Sequence, residues 1–497
     1  MGNSSGEGKP TNSTNTPGSS VRRTFKNAGM LLFGTMFRMV VSFAFVVFAA
    51  DRLGLAGFGI YSIGIHYFEL FLSLSSTAIG ILLTREVAKS VDDNTAVNRT
   101  VTAAFTFCML LAIGGMACMV GLAWLFGFTD VTRQVILLAA LALIPAALSA
   151  IVEAIFVAYE RAEFVALAVS IESIARVLLS IAAILAGYGL ATLFLILIGT
   201  RVLQLAVFAF CMKTSIPVRL DFAGMNLGSF VKNWRMFAAE NWMATLYTNL
   251  DVLVLSWLAG EVAVGLYSAA WKVVRLGSVA AKSYTTAVFP LLSRMYEQAR
   301  SEFEKTNMDT IRLMAVISIP IVVGVTILAD RVIDLIYYSG EYADAVPVLQ
   351  VLIWVLLLEF LNPFLSHTLF ARGRQDRSMQ VAGISLAVNS IVTFALVYNF
   401  GAVGAAIGTV IAGLVATVAY LCFALSESEI VKTLWSFGKS FLAAAAVGVL
   451  LFFLQDANVI VLLVSAIIVY LLLASAMRLV SVRDLALLRS ILAARST

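Results

Sequence analysis

The stretch GIYSIGIHYFE occupies positions 59–69, and GLYSAAWKVVR occupies positions 265–275. Both open Gly-Ile/Leu-Tyr-Ser and then diverge. Seven and ten residues after the glycine, one carries His66 and Glu69 and the other carries Lys272 and Arg275. The chain writes one opening twice, 206 residues apart, with ionisable pairs at matched places. Other landmarks recur at nearly the same offset. LLTREVAK at 82–89 is answered by LLSRMYEQ at 291–298, YERAEF at 159–164 by FARGRQD at 370–376, and GYGLATL at 187–193 by NFGAVGAAIG at 399–408. Chance similarity between apolar helices would not hold an offset of 206 to 212 across four landmarks, so the pattern is an internal repeat.

What repeats is apolar. The chain is 61% hydrophobic and 13% charged, where a soluble globular chain has about a quarter of its residues charged. Continuous apolar runs of about 20 residues recur along the length, which is the span of a membrane helix. They do not alternate as barrel strands would. The fold class is therefore an all-α polytopic membrane protein. Fourteen segments are expected, at about 27–50, 57–83, 100–125, 133–158, 164–186, 190–212, 233–258, 263–291, 311–329, 346–370, 379–399, 402–425, 438–454 and 458–477. Each repeat unit holds six spans. Six is even, so both units enter the membrane from the same side and are related by an axis along the membrane normal. The expected division is a disordered tail at 1–21, a six-helix bundle at 22–215, a second at 216–430, two extra helices at 431–478 and an amphipathic tail at 479–497. Cys108, Cys118, Cys211 and Cys422 all lie inside apolar runs and read as small core residues.

Charge orients the spans. Loops on the side of the N-terminus carry 25 of the 34 Lys and Arg; Arg52, Arg133 and Arg331 lie on the opposite side, and six lie within spans. By the positive-inside rule both termini face the cytoplasm, in a multi-pass protein of the plasma (inner) membrane. Residues 1–20 lack an apolar h-region and do not read as a signal peptide. The connections are short, and no Gly-rich phosphate loop followed by Lys-Ser/Thr occurs, so neither a folded catalytic domain nor an ATPase is expected.

In order and spacing, LGLAGFGIYSIG after span one, LLTREVAK after span two, YERAEF after span four and YNFGAVGAAIGTVIAG into span twelve resemble the polysaccharide flippases. These belong to the multidrug/oligosaccharidyl-lipid/polysaccharide exporter superfamily. The resemblance runs from about residue 22 to 478. It implies export of a lipid-linked oligosaccharide on a polyprenyl-phosphate carrier by a rocking-bundle, alternating-access cycle, and no enzymatic activity. It carries no residue signature that names the sugar.

The charges inside the spans are the candidate site. They are Arg38, Arg176, Arg201, Lys272, Arg275 and Lys282 against Glu69, Glu153, Glu172, Glu240, Asp251 and Glu359. A charge deep in lipid costs at least about 2.5 kcal/mol and normally faces a partner, a cavity or a pathway. Glu172 and Arg176 are i,i+4 and read as a neutralising pair or as cavity residues. Glu153 and Lys282 sit near span ends and read as snorkelling. Lys272 and Arg275 share one helix face with no acid beside them. Either a carboxylate such as Asp251, Glu240 or Glu69 reaches them or an anionic ligand does. A phosphate suits them, since Arg offers a planar fork and Lys a mobile point charge. The headgroup-binding candidates are thus Arg38, Lys272 and Arg275. His66, Glu69, Glu240 and Asp251 are the candidates for ion coupling or cavity acids. The expected partners are a lipid-linked saccharide, membrane lipids, a coupling ion (proton or sodium) and glycan-assembly proteins. No cofactor, metal site or nucleic acid is expected. The competing readings are a multidrug or cation antiporter of the same superfamily, a peptidoglycan-precursor flippase and, from another class, a membrane glycan polymerase or ligase.

Overall fold

The computed structural model describes the backbone of residues 17–216, 218–222, 224–338, 340–454, 459–477 and 479. Described side chains begin at residue 41 and omit, among others, Lys282 and Tyr284. Among the described residues the regular elements are all helical. The expected amphipathic tail, apart from Leu479, lies outside them, as does the start of the N-terminal tail; α1 begins at Pro17.

In chain order the helices are α1 (Pro17–Leu72), α2 (Ala78–Lys89), α3 (Asn94–Leu125), α4 (Asp130–Ala158), α5 (Ala162–Leu185), α6 (Leu190–Ser215), α7 (Leu227–Leu258) and α8 (Gly260–Gln298). They continue as α9 (Arg300–Ile327), the short α10 (Ala329–Ile336), α11 (Ala345–Leu352), α12 (Trp354–Ala371), α13 (Gln375–Ala424), α14 (Glu427–Phe453) and α15 (Val459–Ala476). Two glycines cut long helices in two. Gly54 (φ 68°) breaks α1 and Gly401 (φ 53°) breaks α13, a left-handed conformation that costs glycine little. The second arm of α1 runs through a π-helical turn, Ser73–Thr77, into α2 as one span. With α11 and α12 forming one span, fourteen crossings result, near the expected boundaries.

The ends are set by local chemistry. Asp93 accepts from the Thr95 and Ala96 N–H groups to start α3, Asn226 caps α7 through Ser229 N–H, and a Ser426/Glu429 capping box starts α14. Aliphatic and aromatic side chains such as Leu178, Leu179, Phe210 and Ile391 are exposed around the outside, where lipid meets them. Cys108 and Cys211 are core residues as expected, but Cys118 and Cys422 are exposed on the helix exteriors. Lipid tails are as apolar as a protein core, so composition does not separate the two positions.

The repeated Gly-x-Tyr-Ser opening is where the halves cross. Here the end of the bundle at which α1 begins is the near end, and its opposite the far end. A Cβ on Gly59 would overlap the Glu261 carbonyl, and a Cβ on Gly265 would overlap the Leu55 carbonyl. Glu261 stands 206 residues after Leu55 and Gly265 stands 206 after Gly59. The contact is self-complementary under the repeat, as an isologous contact is across a two-fold axis. Only glycine permits such close backbone approach.

Candidate functional site

Four hydrogen bonds also tie the halves at the far end. The Thr129 and Thr132 hydroxyls donate to Glu261 Oε1 at 2.9 and 2.8 Å. Leu55 N–H donates to Glu341 Oε2 at 2.9 Å, and the Tyr342 hydroxyl donates to the Ala50 carbonyl at 3.0 Å. Burial pushes the Glu261 carboxyl up, but hydrogen bonds from its own N–H and from Thr132 and Thr129 outweigh burial and hold it below the usual carboxylate range.

Below this closure the second arm of α1, with the π-turn, runs along α7. The Tyr67 and Ser256 hydroxyls lie 3.2 Å apart, His66 Nδ1 and Asn249 Oδ1 3.4 Å, and the Ser73 and Thr245 hydroxyls 2.8 Å. Trp242 Nε1 donates to the Leu74 carbonyl at 3.0 Å. Each contact pairs an N-half helix with a C-half helix.

The matched ionisable residues lie beside this seam. Glu69 is exposed and lines a cavity of about 600 Å³ with Ser73, Ser76, Thr77, Thr84 and Glu153. Glu153 therefore faces a cavity rather than snorkelling to the lipid surface; the described residues do not include the Lys282 side chain. Arg275 is exposed and lines a second cavity of about 270 Å³ with Tyr247, Asp251, Trp271, Glu359 and Asn362. Its guanidinium carbon sits 6.0 Å from the Trp271 ring centroid. A third cavity, about 320 Å³, shares Tyr247 and Asn362 with the second and adds Glu240, Ser366, Ser378 and Ser385. Lys272 is half-buried. The charges that act on Glu69 are Arg275, His66, Lys272 and Arg176.

The structure thus brings His66, Glu69, Lys272 and Arg275 into one electrostatic neighbourhood across the two halves. Among the described residues no carboxylate lies within 4.0 Å of Lys272 or Arg275. Of the acids offered as their partners, Glu240 lines the third cavity, away from both. Asp251 is 2% exposed and engaged elsewhere: its Oδ2 accepts from the Tyr267 hydroxyl at 2.7 Å and from Thr409 Oγ1 at 2.8 Å. Among the described residues Asp251 Oδ1 has no hydrogen-bond partner, nor has the amide nitrogen of fully buried Asn389, whose Oδ1 accepts from Thr393. Arg38 lies on the first arm of α1, and its side chain is outside the described residues.

The residues that sequence reasoning passed over have modest signals. The hydroxyl run SLSST at 73–77 becomes the π-turn that lines the first cavity, a local element often found at functional sites. Asn389, a lone amide in mid-span, marks the Asp251 cage. Thr129 and Thr132 acquire meaning only beside Glu261.

Two sets of membrane-length helices meet at the glycine crossing, each with a cavity that ionisable side chains line. The chain matches the family described as "Polysaccharide biosynthesis protein" over residues 24–296, more than half its length, and belongs to that family. A MatE match covers residues 237–395. The curated relatives include the "Probable flippase AglR" of Haloferax volcanii, 24% identical over 44% of this chain and 47% of that one. They also include "Capsular polysaccharide biosynthesis protein CapF" of Staphylococcus aureus, 26% identical over 36% of this chain and 46% of that one. The chain thus spans less than half the length of each of these two relatives. Among solved structures, the "Lipid II flippase MurJ, inward closed conformation" superposes with a TM-score of 0.77 at 18% identity, covering 91% of this chain and 99% of that one. An inward-facing MATE multidrug transporter gives 0.67 at 15% identity over 82% and 98%. At such identities the likeness is one of fold. The protein is thus an all-helical member of that family with the fold of the solved lipid II flippase and MATE transporter, and one of its relatives carries the name flippase.

Proposed function

We propose that the protein flips a lipid-linked oligosaccharide of the polyprenyl-phosphate type from the cytoplasmic to the outer leaflet by alternating access, for cell-surface polysaccharide biosynthesis. The observation that carries this reading is Lys272 with Arg275. Arg275 lines the second cavity and half-buried Lys272 lies one helical turn before it, with no carboxylate within ion-pair distance among the described residues. An unpaired charge at mid-membrane depth is costly, and a phosphate supplies what the protein withholds. With both termini cytoplasmic, as charge asymmetry favours, the three cavities lie on the cytoplasmic side of the Gly59–Gly265 crossing, which closes the outer side. The sugar–phosphate headgroup enters this polar cleft while the lipid tail stays in the bilayer, which avoids drawing sugar hydroxyls and phosphate through bare hydrocarbon. Relatives named as flippases, one of them for glycan biosynthesis, support the reading.

The expected bundles, 22–215 and 216–430, would rock against each other about the crossing, with 431–478 attached to the second. Coupling to a proton or sodium ion is assigned to Asp251, a buried acid whose Oδ1 makes no hydrogen bond among the described residues. Glycan-assembly proteins are the expected partners on delivery and receipt. A peptidoglycan-precursor flippase remains the second reading, favoured by the fold likeness to MurJ. A cation exporter fits less well, because the cleft pair is cationic. The test is glycan export in cells carrying Lys272→Ala with Arg275→Ala. Folded protein with export abolished supports the proposal, and normal export removes it.

A further inference from the structure

The second and third cavities meet at Tyr247, Asn362 and Pro363, which line both. Three helices of the C-half build the walls, each with polar residues at helical spacing. These are Glu240, Tyr247 and Asp251 on α7, Glu359, Asn362 and Ser366 on α12, and Ser378 and Ser385 on the first arm of α13. Residues so spaced share one face of their helix. Glu240 precedes Asp251 by eleven residues, a rise of about 16 Å along α7. The two cavities thus form a trough that runs from the depth of Arg275 toward the near end.

Most of the polar groups in it are already engaged. Thr417 Oγ1 donates to Asn362 Oδ1 at 2.7 Å, and Asn362 Nδ2 donates to the Gly413 carbonyl at 3.2 Å. The Ser366 and Ser378 hydroxyls lie 2.8 Å apart, and Ser385 Oγ donates to the Val381 carbonyl at 2.7 Å. These bonds fix the walls. Two groups differ. Among the described residues neither the hydroxyl of half-buried Tyr247 nor the carboxylate of exposed Glu240 makes a hydrogen bond. Tyr247 stands where the cavities join and Glu240 lines the third. That cavity, about 320 Å³, has room for on the order of ten waters, close to the heavy-atom count of one hexose.

We infer that the third cavity is a saccharide subsite, which takes the first sugar beyond the phosphate held at Arg275. The ring lies against Tyr247, and a hydroxyl or amino group of the sugar donates to Glu240. The inference rests on the phosphate reading above and adds the place and class of the sugar. A phenol offers an apolar face to the C–H side of a sugar ring and a polar tip to its hydroxyls. Among the described residues the third cavity is lined by a carboxylate and hydroxyls and by no Lys or Arg. The sugar it favours is therefore a neutral or amino hexose. A uronic acid would set its own carboxylate against Glu240, and like charge brought together is a means of rejection.

The test measures binding to the purified full-length protein in detergent. The probes are farnesol, farnesyl diphosphate, and farnesyl diphosphate glycosylated with glucose, glucosamine or glucuronic acid. The quantity read is the ratio of each glycosylated probe's affinity to that of farnesyl diphosphate, so a change in phosphate binding alone cancels. In the wild type, glucose and glucosamine are expected to raise affinity about tenfold, the worth of one hydrogen bond to a charged group, and glucuronic acid to raise it less. Tyr247→Leu is expected to bring the glucose ratio close to one. Glu240→Gln is expected to lower the glucosamine ratio and to remove the penalty on glucuronic acid. Should Tyr247→Leu fail to fold, Glu240→Gln, a change of equal size at an exposed position, carries the test alone. A wild type that binds farnesyl diphosphate and gains nothing from any sugar overturns this inference alone. So do wild-type ratios in the folded variants, or glucuronic acid bound as well as glucosamine in the wild type. A wild type that does not prefer farnesyl diphosphate to farnesol removes the phosphate reading and this inference with it.

Discussion

The second arm of α1 and the helix α8 begin alike and end opposite. Both start with Gly-x-Tyr-Ser, and their glycines meet in a contact that is symmetric under the repeat. Seven and ten residues further on, one presents His66 and Glu69 where the other presents Lys272 and Arg275. One is then interrupted by a π-turn that opens a hydroxyl-lined cavity, and the other continues unbroken. The backbone kept the symmetry that a far-end crossing needs. The chemistry abandoned it at mid-depth, where opposite signs let the walls attract each other without forming a close ion pair. A gap lined by like charges would repel itself open, and a sealed salt bridge would leave nothing for a ligand.

The largest effect that would break this comparison is reversal of the C-half sign. Lys272→Glu with Arg275→Glu is expected to abolish glycan export with the protein still inserted in the membrane; export at the wild-type level would remove any need for cationic residues there. Next comes the crossing. Gly59→Leu and Gly265→Leu each place side-chain atoms where a backbone carbonyl lies, an overpacking cost of about 1–3 kcal/mol. The two are expected to lower thermal stability in detergent by similar amounts, because each glycine meets the carbonyl equivalent to the other's. A large difference between them would deny the symmetry. Asp251→Asn is expected to remove the dependence of transport on an imposed ion gradient while retaining substrate binding, read in vesicles with the gradient present and collapsed. Unchanged gradient dependence would move coupling to another group.

The smallest effect belongs to the far-end latch. Glu261 is held ionised by its hydrogen bonds, so its folded value lies below the unfolded one. The stabilisation is present at neutral pH and is lost only as pH falls through that lowered value. Far-end accessibility to a thiol reagent is therefore expected to be flat near neutrality and to rise in acid. Glu261→Gln should weaken that acid dependence, and a variant that keeps it in full would exclude this carboxylate.

Much of this was legible in the sequence because a membrane imposes long apolar runs and charges interrupt them visibly. The repeat was legible through glycines and arginines at fixed offsets. Pairings between distant helices were not. Nothing in the sequence joins Arg201 to Glu172, whereas the i,i+4 spacing makes Arg176 visible as a neutralising partner or cavity residue. The Asp251 cage draws on α7, α8 and α13, and its members are ordinary span residues until they meet. The exposed Cys118 and Cys422 were beyond composition for the reason that lipid and core look the same to a side chain.

The central claim is that Arg275 and Lys272 face a water-filled gap between the halves and meet an anion there. Cysteine placed at these positions, in a chain without Cys108, Cys118, Cys211 and Cys422, tests it directly. The account predicts that a membrane-impermeant sulfonate thiol reagent applied from the near end labels Arg275→Cys and Lys272→Cys but not Val202→Cys on the lipid-facing exterior, and that prenyl diphosphate protects the first two. Labelling that is absent at 272 and 275, or equal at all three positions and indifferent to prenyl diphosphate, would contradict it.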